Sequence, residues 1–274
     1  MKFKLLSGLA IILLLFSSSC KYFRSSHPQA DILSDEVATN LNDKTILNFA
    51  AGIDRELPKF RKQFSLIFTS GDLSVYTEKY SDYNNSMLYR IYSNNGSLNS
   101  SVKSYYFRAD SLMLIREKSK FMNQDAELFR DSRTYLRNGI VFGMDTRTAS
   151  SADALRTLPF LPLSAAELKL REDNFADDVK GMNDALTGKD KFEMVFDNIT
   201  TYPDARYIML KSKSRSNYKA AVLVEQKDTF IDSLLNYPGK FRDTQLNFKW
   251  KINDKQAVYV PVSAMNTSAS GLNK

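Results

Sequence analysis

The sequence predicts an α+β fold, predominantly an antiparallel β-sheet meander with two amphipathic helices. Three observations favour this fold class. Short apolar runs separated by turn residues recur along most of the chain, as they do in strands joined by hairpins. The segment "QLNFKWKI" at 245–252 alternates apolar with polar residues, which indicates a strand with one buried and one solvated face. Two segments that begin near residues 43 and 164 repeat apolar residues at helical spacing instead.

The first helix is predicted over "DKTILNFAAGIDRELP", where Asp43 can cap the start and Pro58 ends the helix. Its apolar face consists of Ile46, Phe49, Ala50, Ile53 and Leu57. Seven strands are predicted next, at 64–69, 73–80, 87–92, 102–107, 112–118, 128–136 and 140–144. Asn138-Gly139 is the strongest type of hairpin signal among the turns between them.

Three phrases in this region look alike: "LYRIYSNNGSL", "SYYFRADSLML" and "TYLRNGIVFGM". Each has an aromatic strand end, a short polar turn and an apolar strand, so we expect a meander of repeated hairpins. The aromatic residues allow two interpretations, a surface on which sugars stack or ordinary cross-strand pairs in the core. We favour the second, because aromatic residues in strands usually pair with each other.

The second half of the chain is expected to repeat the order of helix and strands. A segment rich in small residues and proline, 149–163, is predicted to be a linker. Ser164 and Glu167 then match a capping box, and the helix that follows should end at Gly188. Further strands are predicted at 192–196, 206–211, 218–225, 245–252 and 257–262, with a short helix at 229–236. The acidic residues of the central helix, Glu172, Asp173, Asp177 and Asp178, are interpreted as its solvated face.

These elements define units at 43–148 and 164–265, followed by a frayed tail at 266–274. Two arrangements remain open: two separate helix-plus-sheet units, or one curved, half-barrel-like sheet with a helix across it. In element order alone, the second arrangement is similar to the half-barrel carriers and receptors that sort bacterial lipoproteins.

The N-terminus has the order of an export signal. Lys2 and Lys4 precede an apolar run at 5–16, three serines follow, and then comes Cys20. This arrangement resembles a bacterial lipobox, although Ser17 stands where an aliphatic residue is usual. The resemblance covers residues 1–20 and implies cleavage after residue 19, acylation of Cys20, and a lipidated tether at 20–42. Acyl chains contribute about 0.8 kcal/mol per buried methylene, so several of them anchor a protein stably.

Composition excludes several common site chemistries. The formal net charge is +7, of which Lys2 and Lys4 contribute two, and the remaining basic residues are interspersed with acids. A nucleic-acid partner is therefore not expected. The chain has one cysteine, Cys20, and one histidine, His27 in the predicted tether, so we predict no Ser-His-Asp triad, Cys-His pair or zinc site in the body. We predict no cofactor and no catalytic residue, and we interpret the S-x-x-K matches at Ser100 and Ser216 as chance.

We therefore expect a lipid-anchored cell-envelope protein that binds a protein or glycan partner and is not an enzyme. One alternative is a carrier that holds a lipid or acyl ligand in an apolar cavity under the central helix. A less favoured alternative is a carboxylate-dependent glycan hydrolase, because paired acids leave no trace in a sequence. Lys21 follows the expected anchor, and by resemblance to the bacterial sorting rule this favours the outer membrane, on its periplasmic side.

Overall fold

A computed structural model describes residues 42–124, 126–169, 174–214 and 216–261. About half of these residues form strands of a mainly antiparallel β-sheet, and a few helices accompany it, so the predicted α+β class is confirmed. The described residues from Ile46 onward belong to one compact unit. The expected signal and tether, with Cys20 and His27, and the tail at 266–274 lie outside the described residues.

The chain begins with helix α1 (Asp43–Glu56) and a 3-10 turn (Leu57–Lys59). The strands of the first half are β1 (Arg61–Phe64), β2 (Phe68–Ser70), β3 (Leu73–Asp82), β4 (Asn85–Asn95), β5 (Asn99–Arg108), β6 (Ser111–Asn123), β7 (Ala126–Arg137) and β8 (Ile140–Ala149). The middle of the chain contains α2 (Ala152–Thr157), β9 (Leu161–Pro162), α3 (Ala165–Lys169), α4 (Phe175–Thr187) and a 3-10 turn (Asp190–Phe192). The last elements are β10 (Met194–Thr201), β11 (Arg206–Ser212), β12 (Lys219–Leu223), α5 (Thr229–Asn236), α6 (Pro238–Phe241), β13 (Lys249–Asn253) and β14 (Gln256–Val260).

Within the described residues, fourteen strands join in one open sheet. Its main path runs β10-β11-β12-β2-β3-β4-β5-β6-β7-β8-β9, so strands β3 to β8 form the predicted meander. Strand β1 also pairs with β3, and β14 pairs with β13 and, in parallel, with β12. The segment predicted as a linker contains α2 and β9, and β9 pairs with β8.

Helices α1 and α4 lie on opposite faces of the meander. Adjacent residues of a strand point to opposite faces, and Tyr105 donates a hydrogen bond to Asp178 of α4 while Tyr106 donates to Asp54 of α1. We call these the α4 face and the α1 face. The α4 face is apolar under the helix, where Met182 of α4 packs on a cluster that includes Phe107, Ile115 and Leu136.

A second apolar cluster lies where β2 meets the strands of the second half. Ile231 and Leu234 of α5 are fully buried in it, together with Phe196 and Ile208. The alternating residues of "QLNFKWKI" pack against this cluster as predicted, on one face. However, the paired strand β13 begins only at Lys249, so the predicted strand start at 245 was wrong.

The predicted strand at 64–69 was also wrong, because it is interrupted between β1 and β2. Buried Ser65 lies at the break, where its Oγ accepts a hydrogen bond from the Thr77 amide at 3.0 Å and donates one to the Leu66 carbonyl at 2.7 Å. The side chain of Ser65 thus replaces ladder partners that the bend removes. Trp250 Nε1 donates to the carbonyl oxygen of Ser65 at 3.4 Å, which ties β13 to the same point.

The helix predicted to start at Ser164 is two helices. The capping box is confirmed, since the Ser164 amide donates to Glu167 Oε2 at 2.8 Å, but α3 ends at Lys169. Helix α4 has its own N-cap, Asn174, whose Oδ1 accepts from the Asp177 amide at 3.3 Å. Gly188 ends α4 with φ +63°, as predicted. Of the four acidic residues assigned to one solvated face, Glu172 and Asp173 lie outside the described residues.

The first helix shows a smaller error at its start. Its cap is Asn42 rather than Asp43, because Asn42 Oδ1 accepts a hydrogen bond from the Thr45 amide at 2.9 Å. The Thr45 hydroxyl accepts in return from the Asn42 amide at 3.0 Å. This is the reciprocal pattern of a capping box, with threonine in the position that glutamate usually holds.

The repeated hairpins are confirmed, and each of the three phrases spans one of them. The turns at 109–110 and 138–139 lie at one end of the meander, whereas the turn at 94–96 lies at the other end. The β3–β4 turn at 83–84 lies at the same end of the meander as the turns at 109–110 and 138–139. In the three hairpins that turn at this end, a tyrosine precedes a register shift, which the structure has after Tyr80, Tyr106 and Tyr135.

Candidate binding site on the polar face of the sheet

Charged side chains cross the α1 face of the sheet in a continuous row. Residues that pair directly in antiparallel strands share a face, and one such set spans β3 to β8. We call it the polar row: Glu78, Arg90, Ser104, Arg116, Arg133 and Asp145. Its three arginines keep about a fifth to a quarter of their side-chain surface exposed, so the row is reachable from solvent.

Helix α1 supplies a carboxylate to the middle of the polar row. Asp54 lies 3.6 Å from Arg90 Nη2 and 3.6 Å from Arg116 Nη1, and the Tyr106 hydroxyl donates to both of its oxygens at 3.1 Å. One carboxylate thus faces two guanidinium groups. The local charge around Asp54 is positive, which favours an anion.

At one end of the polar row, Glu78 is buried and fully engaged. Lys62 Nζ lies 2.6 Å from Glu78 Oε1, and the hydroxyls of Tyr80 and Tyr92 donate to Oε2 at 2.8 Å and 3.1 Å. The rings of Tyr92 and Tyr76 stack at 4.4 Å. This aromatic pairing agrees with the interpretation that strand aromatics pair with each other. Glu78 is therefore held by contacts within the protein.

Three tyrosines share this face, because Tyr80, Tyr106 and Tyr135 each lie two residues after a member of the polar row. A β-bulge bends its strand, and the register shifts of β3, β5 and β7 each follow one of these buried tyrosines, whose hydroxyl donates to a carboxylate. The pairs are Tyr80 with Glu78, Tyr106 with Asp54 and Tyr135 with Asp145. Burial and the hydrogen bond to Asp145 raise the pKa of Tyr135 to about 12. Burial raises the pKa of Tyr80 and of Tyr106 as well, so all three remain donors at neutral pH.

The next row on the same face contains the most deeply buried ion pair of this region. Arg147 Nη2 donates to Asp131 Oδ2 at 2.9 Å, and only 2% of the Asp131 side chain is exposed. Arg147 Nη1 also donates to the carbonyl oxygens of Arg156 and Leu158. The guanidinium carbons of Arg133 and Arg147 lie 3.3 Å and 4.2 Å from the centre of the Phe160 ring. Phe160 thereby joins the two rows through cation-π contacts.

A cleft of about 280 Å³ opens beside this ion pair, between α2 and strands β5 to β8. Its basic lining residues are Lys118, Lys120, Arg130, Arg147 and Arg156, and its acidic lining residue is Asp131. Ser100 and Phe129 also line it. We call it the basic cleft.

Several polar atoms near the basic cleft are buried without a hydrogen-bond partner among the described residues. They are Asp131 Oδ1 and the Nε atoms of Arg116, Arg133 and Arg147. Leaving such a group unsatisfied costs about 1–3 kcal/mol and more for a charged group. These atoms lie in two neighbouring rows, so a bound water, ion or ligand there would satisfy several of them.

The chance interpretation of the S-x-x-K pairs agrees with the geometry. Residues three apart in a strand point to opposite faces, and Ser100 lines the basic cleft while Lys103 lies 3.7 Å from Glu117 on the other face. Ser216 Oγ lies 3.5 Å from the Lys191 carbonyl oxygen. Among the described residues, no three Asp, Glu, His or Cys side chains group as metal ligands do.

The spaces beside α4 differ in size. A space of about 300 Å³ between α3, α4 and β8 is lined mainly by apolar residues, among them Val141, Leu168 and Phe175. Two others are smaller. One, of about 230 Å³, is lined partly by Asp177, Asp178 and Lys191, and another, of about 160 Å³, is lined by Phe192, Phe248 and other apolar residues. Sites for drug-sized ligands usually measure roughly 300–1,000 Å³.

Sequence reasoning missed the polar row and the basic cleft. The sequence does contain a signal. Asp131 and Arg133 are two residues apart in the predicted strand at 128–136. Asp145 and Arg147 are also two residues apart, directly after the predicted strand at 140–144. Such pairs share a face. Alternation of charge with buried Ser132, Thr134 and Met144 therefore indicates a charged face opposite a covered one.

No helix within the described ranges is long and apolar enough to cross a membrane. The chain matches no protein-family model, and no curated protein or solved structure is found to be similar to it.

Proposed function

We propose that this protein is a lipid-anchored component of the bacterial cell envelope that binds a protein or glycan partner without chemical turnover. In this proposal Cys20 carries the lipid, the tether spans 20–42, and the α1 face receives the partner. The observation that carries the proposal is the polar row, where Arg90, Arg116 and Arg133 remain partly exposed although Asp54 and Asp145 lie within 4 Å of them.

Arginine on a strand suits recognition of anionic groups. Its planar guanidinium binds carboxylates and phosphates with two parallel hydrogen bonds. The strands hold these side chains at fixed spacing, and the contacts to Asp54 and Phe160 restrict their rotation. A partner with repeated anionic groups therefore finds a prearranged surface, which lowers the entropic cost of binding.

The carrier alternative has less support. The space of about 300 Å³ beside Leu168 and Phe175 only reaches the lower limit of usual ligand sites. The other two spaces beside α4 are smaller, and the one of about 230 Å³ has charged residues in its lining. No specific contact favours the hydrolase alternative either, because Glu78 is occupied by Lys62 and two tyrosines.

The test is co-sedimentation of the full lipidated chain, held in detergent micelles, with isolated envelope polysaccharide and with solubilised envelope proteins. We expect binding to one of these fractions, and we expect the double substitution Arg116→Gln and Arg133→Gln to weaken it at least tenfold. Binding should also fall as salt rises, because salt screens exposed charges.

The matched control removes two charges elsewhere on the sheet. Lys249 and Lys251 are exposed on β13, an edge strand of the second half. Lys249→Gln with Lys251→Gln should leave binding unchanged. Equal losses for both double variants, or no binding to any envelope fraction, would contradict the proposed function.

A further inference from the structure

We propose that the basic cleft binds an acidic sugar, meaning one sugar unit of a glycan that carries a carboxylate or a phosphate group. This inference rests on the proposed function and names the partner's chemistry at one point of the surface. It depends on three properties of the cleft, which are its charge, its unsatisfied acceptor and its size.

The charge of the cleft favours an anion, and the ion pairs of its lining residues show which cation can bind it. Glu127 pairs with Lys120, Asp153 with Arg156 and Asp131 with Arg147. Lys118 lines the cleft, is exposed, and has no ion-pair partner among the described residues. Arg130 also lines the cleft, but its guanidinium group lies over the Phe121 ring. The Lys118 ammonium group is therefore the cation that we expect an incoming carboxylate or phosphate to bind.

The floor of the cleft favours hydroxyl groups. Asp131 lies directly opposite Lys118 in the register of β6 and β7, and its residue is 1% exposed. Its Oδ2 accepts from Arg147, whereas Oδ1 has no partner within the described part of the chain. A sugar hydroxyl donates a hydrogen bond to such an oxygen, which would remove the cost of leaving it unsatisfied.

The size and walls of the cleft suit one ring rather than an extended polymer. Its volume of about 280 Å³ lies just below the roughly 300–1,000 Å³ of sites for drug-sized ligands, which agrees with a ligand of one ring. Phe129 offers an apolar ring, and the Ser100 hydroxyl can both donate and accept. A ligand that combines a compact ring, several hydroxyls and one negative charge matches all of these groups. An acidic peptide matches only the charge.

The test is calorimetric titration of the full lipidated chain in detergent micelles with four probes. These are a glucuronic acid disaccharide, glucose 6-phosphate, a neutral glucose disaccharide and a short glutamate peptide. We expect one or both acidic sugars to bind at least tenfold more tightly than the neutral sugar and the peptide. The two acidic probes distinguish a carboxylate from a phosphate as the recognised group.

Two variants connect binding to the cleft. Lys118→Gln should weaken acidic-sugar binding about tenfold, and Lys249→Gln, which removes an exposed charge on β13, should not. Asp131→Asn keeps the side-chain shape but leaves one acceptor oxygen, which Arg147 uses, so it should weaken binding of the sugar. Its unfolding curve is recorded in parallel, and binding is compared only under conditions where the variant is folded.

Three results would overturn the inference: no binding of either acidic sugar, equal binding of the peptide, or insensitivity to Lys118→Gln. Failure of the acidic-sugar proposal can be distinguished from failure of the proposed function. If envelope binding still depends on Arg116 and Arg133 while the acidic sugars do not bind, the surface binds its partner without the cleft. If envelope binding is also absent, both proposals fail.

Discussion

Arg147 donates a hydrogen bond from Nη2 to Asp131 Oδ2 at 2.9 Å across the neighbouring strands β7 and β8. The two side chains are only 18% and 2% exposed. A buried ion pair of this kind contributes little net stability compared with apolar residues, but removing one partner leaves an uncompensated buried charge.

We predict that Asp131→Ala lowers the free energy of unfolding by about 3–5 kcal/mol, because Arg147 then remains buried without a counter-ion. Urea denaturation of the full chain measures the change. Asp153→Ala is the control, since the pair of Asp153 with Arg156 is almost fully exposed and should matter little. A loss at Asp131 no larger than that of the control would show that Arg147 finds another partner.

Stability should fall at alkaline pH. The pKa values of Tyr80, Tyr106 and Tyr135 are raised above the unfolded value, chiefly by burial. Their contribution to stability is therefore fully present below pH about 10, where the unfolded chain begins to ionise, and is lost as pH rises through the folded pKa values. Each such tyrosine adds a slope of at most about 1.4 kcal/mol per pH unit.

The measurement for this prediction is a set of urea denaturation curves at increasing pH, together with tyrosinate absorbance. Tyr135→Phe should reduce the slope of stability against pH, whereas Tyr83→Phe should not, because Tyr83 is 93% exposed. A stability that stays level through this pH range would contradict the assignment of these tyrosines as buried donors.

Asp228 connects α5 to the sheet and should be sensitive to truncation. Its Oδ1 accepts from the Ile231 amide at 3.0 Å as the N-cap of α5, and its Oδ2 accepts from the buried Tyr259 hydroxyl at 2.8 Å. Asp228→Ala should cost about 2–4 kcal/mol, the sum of a lost cap and an unsatisfied buried hydroxyl. Thermal unfolding measures it. Tyr259→Phe, which leaves the cap intact, should cost distinctly less, and equal losses would refute the separate role of the cap.

The β5–β6 turn contains a residue that is poorly suited to its conformation. Ala109 has φ +46° and Asp110 has φ +61°, and the left-handed region is unfavourable for alanine but tolerated by asparagine. We predict that Ala109→Asn raises the free energy of unfolding by about 0.5–1 kcal/mol. Ala126→Asn, at the exposed start of β7, serves as the control. A gain at Ala126 equal to that at Ala109 would indicate a general surface effect.

The parts of the fold that depend on local chemistry were predictable from the sequence. Asn138-Gly139 has two positive φ angles, as its turn type requires, and Gly188 ends α4 for the same reason. The break at Ser65 was not predictable, because it depends on Thr77 twelve residues away and on Trp250 in another part of the chain. The separate start of α4 was missed because the apolar spacing continues through Asn174.

The candidate site was not predictable either, because it also depends on contacts between residues that are far apart in the chain. Arg116 and Arg133 become neighbours only through the register of β6 and β7, and Asp54 reaches them only because α1 lies on that face. Each strand shows alternating charge, but the sequence does not state which charges stand opposite each other. Cross-strand register, which the turns and bulges determine, supplies that information.

Attachment through Cys20 is the most basic element of the proposed function, and membrane fractionation of cells that produce the wild-type chain or Cys20→Ala tests it most directly. We predict that the wild-type protein sediments with the membranes, in the outer-membrane fraction, and that the Cys20→Ala protein leaves the membrane pellet. A Cys20→Ala protein that remains quantitatively bound to membranes would contradict the lipid anchor.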